Sequence, residues 1–306
     1  LQMSEPSKFE VLFETAEERL ELCASDNSGA FYNLRFKEEP REKPWSKFVE
    51  NRYVSAFKML ATLRAMIKEE VAERQMRTSG VTVERKKHGN PAITLLITDP
   101  PANISVDIIL TVRARQAWPS SMQDGLRIEK WLGSETRESF MSKLLYFIPK
   151  GTCVTIEPSC APGNSWQLSF SRIEKLMMNN HGNTKTCCEC DGVKCCREDC
   201  LELMMCLLEK LKDQDPKKLS TFSLHHVKTS FFHSCVSHPA DQFWHSNQLE
   251  NCFKKVLGDF MACLEKSKLP HFCIPIYNLL SENQKKSNTS LAKKIKEQVE
   301  KGFEIF

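Results

Sequence analysis

The chain has 306 residues, 41% of them apolar and 27% charged, with a net charge of +4; that balance is globular and excludes intrinsic disorder, collagen and a small disulfide-stapled scaffold. The charge is shared evenly between the two halves, so no basic domain points to a nucleic-acid partner. No apolar run approaches the roughly 18 residues a membrane helix needs, and Glu5, Glu10, Glu14, Glu17, Glu18, Glu21 and Asp26 crowd the start, where a secretory signal would be basic and then apolar. The expectation is a soluble protein without a secretory signal. Opening at Leu1 beside a candidate strand implies further residues upstream.

In chain order, Lys8 to Phe13 alternates, with Phe9, Val11 and Phe13 on one face and Lys8 and Glu10 on the other, which predicts a half-buried strand. Ser25 to Gly29 predicts a turn, Ala30 to Lys37 a short strand, and Pro40 to Pro44 a loop. Between Trp45 and Gln75, Phe48, Val49, Phe57, Leu60, Leu63, Ile67 and Val71 recur at helical spacing and predict one long amphipathic helix. Two strands follow at Ala92 to Thr98 and Ile104 to Val112. In the second, Ile104, Val106, Ile108, Leu110 and Val112 form the apolar face and leave Asp107 opposite, so Glu10 and Asp107 are expected on the open face of one sheet. From Ser171 the texture turns helical, with helices at Ser171 to Asn179, Asp199 to Asp213, Ser220 to Cys235, Gln248 to Lys266 and Leu291 to Gly302.

Of fourteen cysteines, Cys187, Cys188, Cys190, Cys195, Cys196 and Cys200 crowd between two of these helices, six residues beyond His181. Without a secretory signal, such clustering reads as a metal site before a disulfide framework. A structural zinc needs four nitrogen or sulfur ligands in a tetrahedron, at about 2.0 to 2.3 Å, and a short Cys-rich loop with one His supplies them. Cys190, Cys196 and Cys200 compete for places in that set.

The run Asn179-Asn180-His181-Gly182, Lys185-Thr186-Cys187-Cys188, Lys194-Cys195-Cys196-Arg197 and Asp199-Cys200-Leu201 resembles the zinc thumb of the cyclic GMP-AMP synthase family, within the male-abnormal-21-like nucleotidyltransferases. The likeness extends over Pro91 to Ile97, Ile104 to Ile108, Gly125 to Ile128, Leu168 to Lys175 and His226 to Thr229, nearly the whole chain. It implies an α+β protein with two lobes. A nucleotidyltransferase-fold mixed sheet lobe spans residues 1–170, and a helical lobe spans 171–306 with the zinc thumb inserted at 181–196. It also implies His181, Cys187, Cys188 and Cys195 as zinc ligands.

For the active site, the resemblance implies carboxylates holding Mg²⁺ for transfer between ATP and GTP. Asp107 and Glu10 match two of three positions, Glu10 as Glu where the family has Asp, and Lys8 falls where the first acid belongs. Ser169, Ser171, Glu174 and Ser223 match nucleotide-pocket positions, and His225 stands where a Tyr stacks on a base. Gln167 and Met205 replace a guanine-reading Arg and a phosphate-contacting Lys. In the family a Gly-Ser loop and a spine helix precede the first strand.

Double-stranded DNA is the implied partner, gripped through its phosphates without regard to sequence, with two protomers pairing on it. Lys175, Lys185 and Lys194 match positions near the thumb, and Arg19, Lys37 and Arg115 match or approximate a second surface; Asp191, Glu198 and Glu202 replace lysines. Arg85-Lys86-Lys87-His88 is a further basic candidate. The implied role is a DNA sensor of innate immunity making cyclic GMP-AMP, cytoplasmic and also nuclear. Two alternatives stay open: a catalytically weakened DNA-binding paralogue, and a sensor of another ligand such as double-stranded RNA.

Overall fold

The structure is a computed structural model and describes residues 7–14, 20–38, 43–75, 80–85, 91–99, 102–114, 117–150, 164–179, 181 and 194–306. The chain divides into two compact units, Leu1–Ala117 with Lys143–Phe170, and Trp118–Ser142 with Ser171–Phe306. Trp118–Ser142 thus belongs with the second unit although it precedes residue 170.

The first unit carries β1 (Ser7–Glu14), β2 (Leu20–Ala24), β3 (Phe31–Phe36), α1 (Lys43–Ser46), β4 (Val49–Glu50), β5 (Tyr53–Val54), α2 (Ala56–Gln75), β6 (Val81–Val83), β7 (Ala92–Asp99), β8 (Ala102–Ala114), β9 (Leu145–Pro149) and β10 (Trp166–Ser169). One sheet runs β4-β5-β3-β10-β9-β8-β7-β6, with β2 on β3 and β1 on β8. Pairing is antiparallel except for β1 with β8, which is parallel.

The long helix expected from Trp45 begins only at Ala56. Asn51 and Arg52 both adopt positive φ, the backbone of a two-residue hairpin turn that matches strand twist, and it folds β4 onto β5. Ser55 then ends the strand and starts α2, its Oγ accepting the Lys58 N–H at 3.3 Å and donating to Asn164 Oδ1 at 2.8 Å. The buried stripe of α2 is Ala56, Met59 and Leu63, whereas Phe57 is 61% exposed. The apolar run read as one helix is therefore a hairpin and a helix in succession.

The second unit holds α3 (Glu129–Leu132), α4 (Ser134–Met141), α5 (Ser171–Asn179), α6 (Arg197–Gln214), α7 (Pro216–Leu219), α8 (Leu224–Ser237), α9 (Leu249–Glu265) and α10 (Lys285–Glu300). Its core packs Trp131, Phe231, Phe232, Trp244 and Phe260, all essentially solvent-free, against the Leu201, Met204, Leu208 and Leu211 stripe of α6. Helix α8 starts at Leu224 rather than Ser220 because Ser223 and His226 form a reciprocal cap. Helix α10 starts six residues earlier than expected because its first inward residue is polar: Asn288 is fully buried and donates to Ser267 Oγ at 2.9 Å.

A tight approach locks the loop before α3. Leu126 N–H donates to the Phe272 carbonyl at 3.0 Å, and a Cβ on Gly125 would stand 2.2 Å from the Cys273 carbonyl oxygen. Beside this contact lies buried His271, whose Nδ1 accepts the N–H groups of Cys273 and Ile274 at 3.1 and 3.2 Å. Burial, and then the neighbouring His225 and His233, push its pKa down to about 3.

A base whose folded pKa is depressed binds its proton more readily when unfolded. The stability that neutral His271 confers is complete above the unfolded value of about 6.5 and is lost as pH falls from there towards 3. Between pH 6.5 and 5 this one residue is expected to remove up to about 2 kcal/mol. Thermal unfolding across that range measures it, and His271→Asn, which keeps an acceptor without a titrating ring, is expected to flatten the slope. An unchanged slope in that variant would assign the acid sensitivity elsewhere.

Candidate active site and zinc thumb

Asp107 sits mid-strand in β8 between two partners in register, Lys8 of β1 on one side and Thr94 of β7 on the other. Thr94 is buried and its Oγ1 donates to Asp107 Oδ1 at 2.6 Å, which fixes one carboxylate oxygen and leaves the other for a second partner. Glu10 pairs with Ile109, so positions 8, 10 and 107 share one sheet face by the two-residue alternation. On β1, Lys8 is the position directly beside Asp107, and Glu10 lies one repeat further on. This sequence fits a pair of divalent cations poorly, because the β1 position in register with Asp107 is a lysine. Thr94 carries no motif of its own; only the pairing of β7 with β8 brings it to Asp107.

The remaining pocket candidates fall in both units. Ser169 is the last residue of β10 and half-buried, with Gln167 two positions earlier opposite Phe31 and Ile148. Ser171 is exposed at the first position of α5, and Glu174, one turn on, has Oε1 at 3.8 Å from Nδ1 of His225. The His225 ring lies 5.1 Å from that of His271. Ser223 caps α8: His226 Nδ1 accepts its N–H at 3.1 Å, and His226 Nε2 donates to the Leu279 carbonyl at 3.2 Å. Burial, with His225 next, lowers the pKa of His226 to about 4, so it stays neutral in that role. Met205 is buried inside the helical unit and presents nothing polar to a phosphate.

Of the zinc candidates, His181 is buried, its Nδ1 meets the Met178 carbonyl and its own carbonyl accepts Trp131 Nε1–H at 2.6 Å. A histidine that donates from Nδ1 to a backbone carbonyl presents Nε2 in a fixed direction, the usual support of a metal-bound imidazole. Cys195 is buried, and its Sγ accepts the Arg197 N–H at 3.5 Å. Cys187, Cys188 and Lys185 lie outside the described residues, as do Cys190 and Asp191. Among the described residues no three His, Cys, Asp or Glu side chains are placed to hold a metal.

Cys196 and Cys200, open candidates from the sequence, are solvent-free and meet Cys252 of α9, whose thiol donates to the Phe243 carbonyl at 2.9 Å. Hydrogen bonding from Cys200 pulls Cys196 down to about 7, while burial pushes Cys252 up to about 12. Of the basic candidates, Lys37, Arg85, Lys175 and Lys194 are exposed, and Arg19, Arg115 and Lys86 to His88 lie outside the described residues. Glu198 and Glu202, one turn apart, are exposed on α6.

Comparison with known proteins decides the family. The Mab-21 protein nucleotidyltransferase domain matches residues 1–180, and the Mab-21 protein HhH/H2TH-like domain matches residues 196–297. The chain belongs to the Mab-21 nucleotidyltransferase family. Within that family it is 43% identical to the cyclic GMP-AMP synthase of Sus scrofa over 310 residues, covering 100% of this chain and 61% of that protein. Against the cyclic GMP-AMP synthase of Mus musculus it is 43% identical over 308 residues, covering 100% of this chain and 59% of that protein. Protein mab-21-like 3 of Danio rerio is 22% identical over 234 residues, 74% of this chain and 53% of that protein. The chain thus spans about 60% of the length of the synthases it matches. No helix among the described residues is long and apolar enough to cross a membrane.

Proposed function

We propose that this chain is a cyclic GMP-AMP synthase-like protein that binds double-stranded DNA through a zinc thumb and a sparse set of lysines, with nucleotidyl transfer weakened at its own sheet. The observation that carries the second half is the parallel register of Lys8 with Asp107. Full-chain identity of 43% to two synthases carries the first.

His181 and Cys195, with Cys187 and Cys188, would hold zinc, and the supports of His181 and Cys195 described above fit that role. Zinc there is structural and supplies rigidity to the DNA-facing loop. Asp107, held by Thr94, would supply a metal-binding carboxylate, and a lysine at the position in register with it would oppose a cation. DNA contact through Lys175 and Lys194 would be opposed by Glu198 and Glu202, so affinity should be low, indifferent to sequence and steeply salt-dependent.

The test measures cyclic dinucleotide formation from ATP and GTP with Mg²⁺ and DNA, beside DNA titrations at several salt concentrations. The expected result is product no greater than that of Asp107→Ala, with DNA binding that falls as salt rises. Abundant product lost in Asp107→Ala would make the chain an active synthase. Binding of double-stranded RNA in preference to DNA would move it to the other ligand class.

A further inference from the structure

Four histidines meet where α8 faces the 266–281 segment, and three of them are built into the backbone. His226 joins the Ser223 N–H to the Leu279 carbonyl, His233 Nε2 donates to the Pro270 carbonyl at 2.8 Å, and His271 accepts two N–H groups from its own loop. Burial lowers the pKa of all three. His225 is held otherwise. Its side chain is 35% exposed, and its Nδ1 stands 3.8 Å from Oε1 of Glu174 in the first turn of α5, an ion pair when the ring is protonated.

Behind His225 the rings of His271 and Tyr277 follow at centroid separations of 5.1 and 6.1 Å, the second pair stacked. The column is fixed from below, because the Cys273 and Ile274 N–H groups pin the His271 ring. His225 is its outer, solvent-reaching ring. A proton on one ring discourages a proton on the next, and after burial it is His225 that most holds His226 and His271 neutral. The proton that this cluster takes up therefore sits on His225, against the Glu174 carboxylate. The other ionisable groups around it are Lys212 of α6, Lys228 one turn along α8, Arg172 and Lys175 on α5, and the Cys273 thiol and Tyr277 phenol of the loop. Burial pushes the Cys273 thiol up, so it stays uncharged.

We propose that ligand binding at this column is proton-dependent: His225, as an imidazolium held by Glu174, stacks on the base of a nucleotide more tightly than the neutral ring does. The proposal rests on the nucleotidyltransferase reading above and adds control by pH to it. A base already gains from stacking on an aromatic side chain, and a cationic ring adds attraction to the π face and to nearby phosphate oxygens. A ring already fixed in place needs little ordering when the ligand arrives.

The experiment titrates the purified chain with cyclic GMP-AMP, whose phosphodiesters and bases keep one charge state between about pH 5.5 and 8, and follows affinity by calorimetry across that range. Repeating the titration in buffers of different ionisation enthalpy counts the protons taken up on binding. The expected result is an affinity about 3- to 30-fold higher at the acid end, with uptake approaching about one proton near the midpoint. His225→Tyr keeps a stacking ring without the titration and is expected to bind equally across the range. Glu174→Gln removes the partner of the charged ring and is expected to shift the rise to lower pH. Loss of fold in acid would act in the opposite direction, by weakening binding. Native affinity that is level with pH or falls in acid, or a rise that survives in His225→Tyr, overturns the proposal while the pocket stands. If His225→Tyr does not fold, Glu174→Gln decides: a displaced rise supports the proposal and an unmoved one overturns it. Native protein that binds no cyclic GMP-AMP at any pH removes the nucleotide pocket itself, and the proposal with it.

Discussion

Replacing Lys8 by Glu and Glu10 by Asp together, in a protein carrying a family Gly-Ser loop ahead of β1, is expected to raise Mg²⁺-dependent dinucleotide formation on the order of a hundredfold. The register sets the reason: Lys8 is the β1 position beside Asp107, and Glu10 follows on the same sheet face. Removing an ammonium and adding a carboxylate there changes the local charge by two, in the direction that holding cations and stabilising a phosphoryl-transfer transition state would require. Glu10→Asp shortens the side chain by one methylene, and a displacement of roughly 1 Å is worth about a hundredfold in rate. The single variant Lys8→Glu is expected to give part of the gain, and Asp107→Ala to cancel all of it. Rates unchanged in the double variant would show that the sheet carboxylates do not limit this chain.

Gly125→Ala is expected to destabilise the helical unit by at least about 3 kcal/mol, a fall in melting temperature of roughly 6 to 12 °C. The added Cβ would meet the carbonyl oxygen and carbon of Cys273 at 2.2 and 2.5 Å. Both atoms are backbone, so the clash is relieved only by moving the Phe272–Cys273 segment, and the Leu126 N–H bond to Phe272 and the acceptor role of His271 go with it. Gly258→Ala in α9, where nothing lies within 4 Å of the new carbon, is the matched control and is expected to stabilise by up to about 1 kcal/mol. A Gly125→Ala protein that melts within about 2 °C of native would show that this loop moves freely.

Local chemistry in the sequence determined a good part of this protein. The alternation of Lys8 to Phe13 and of Ile104 to Val112 placed β1 and β8, because side chains of a half-buried strand point by turns to core and solvent. Helices α5, α6 and α9 emerged within two residues at each end, since their apolar spacing is helical and their burial one-sided. Motif spacing around His181 and the cysteines carried the family, which the family match and identity over the whole of this chain then showed. Strand β9 was missed, although Leu145, Phe147 and Pro149 alternate and are all buried.

Tertiary structure alone decided the rest. The hairpin at Asn51–Arg52 was hidden because its residues are not the usual glycine and asparagine pair, and pairing of β5 with β3 overrides their local preference. Helix α10 was clipped because Asn288 faces inward, where an apolar pattern cannot register a buried amide satisfied by Ser267. The family resemblance marked Lys8 as a departure, but that it stands beside Asp107, and that Thr94 holds the other side, follows from strand register. Arg197 was one basic residue among many in the sequence; packing between Asp241 and Trp244 makes it a fully buried charge.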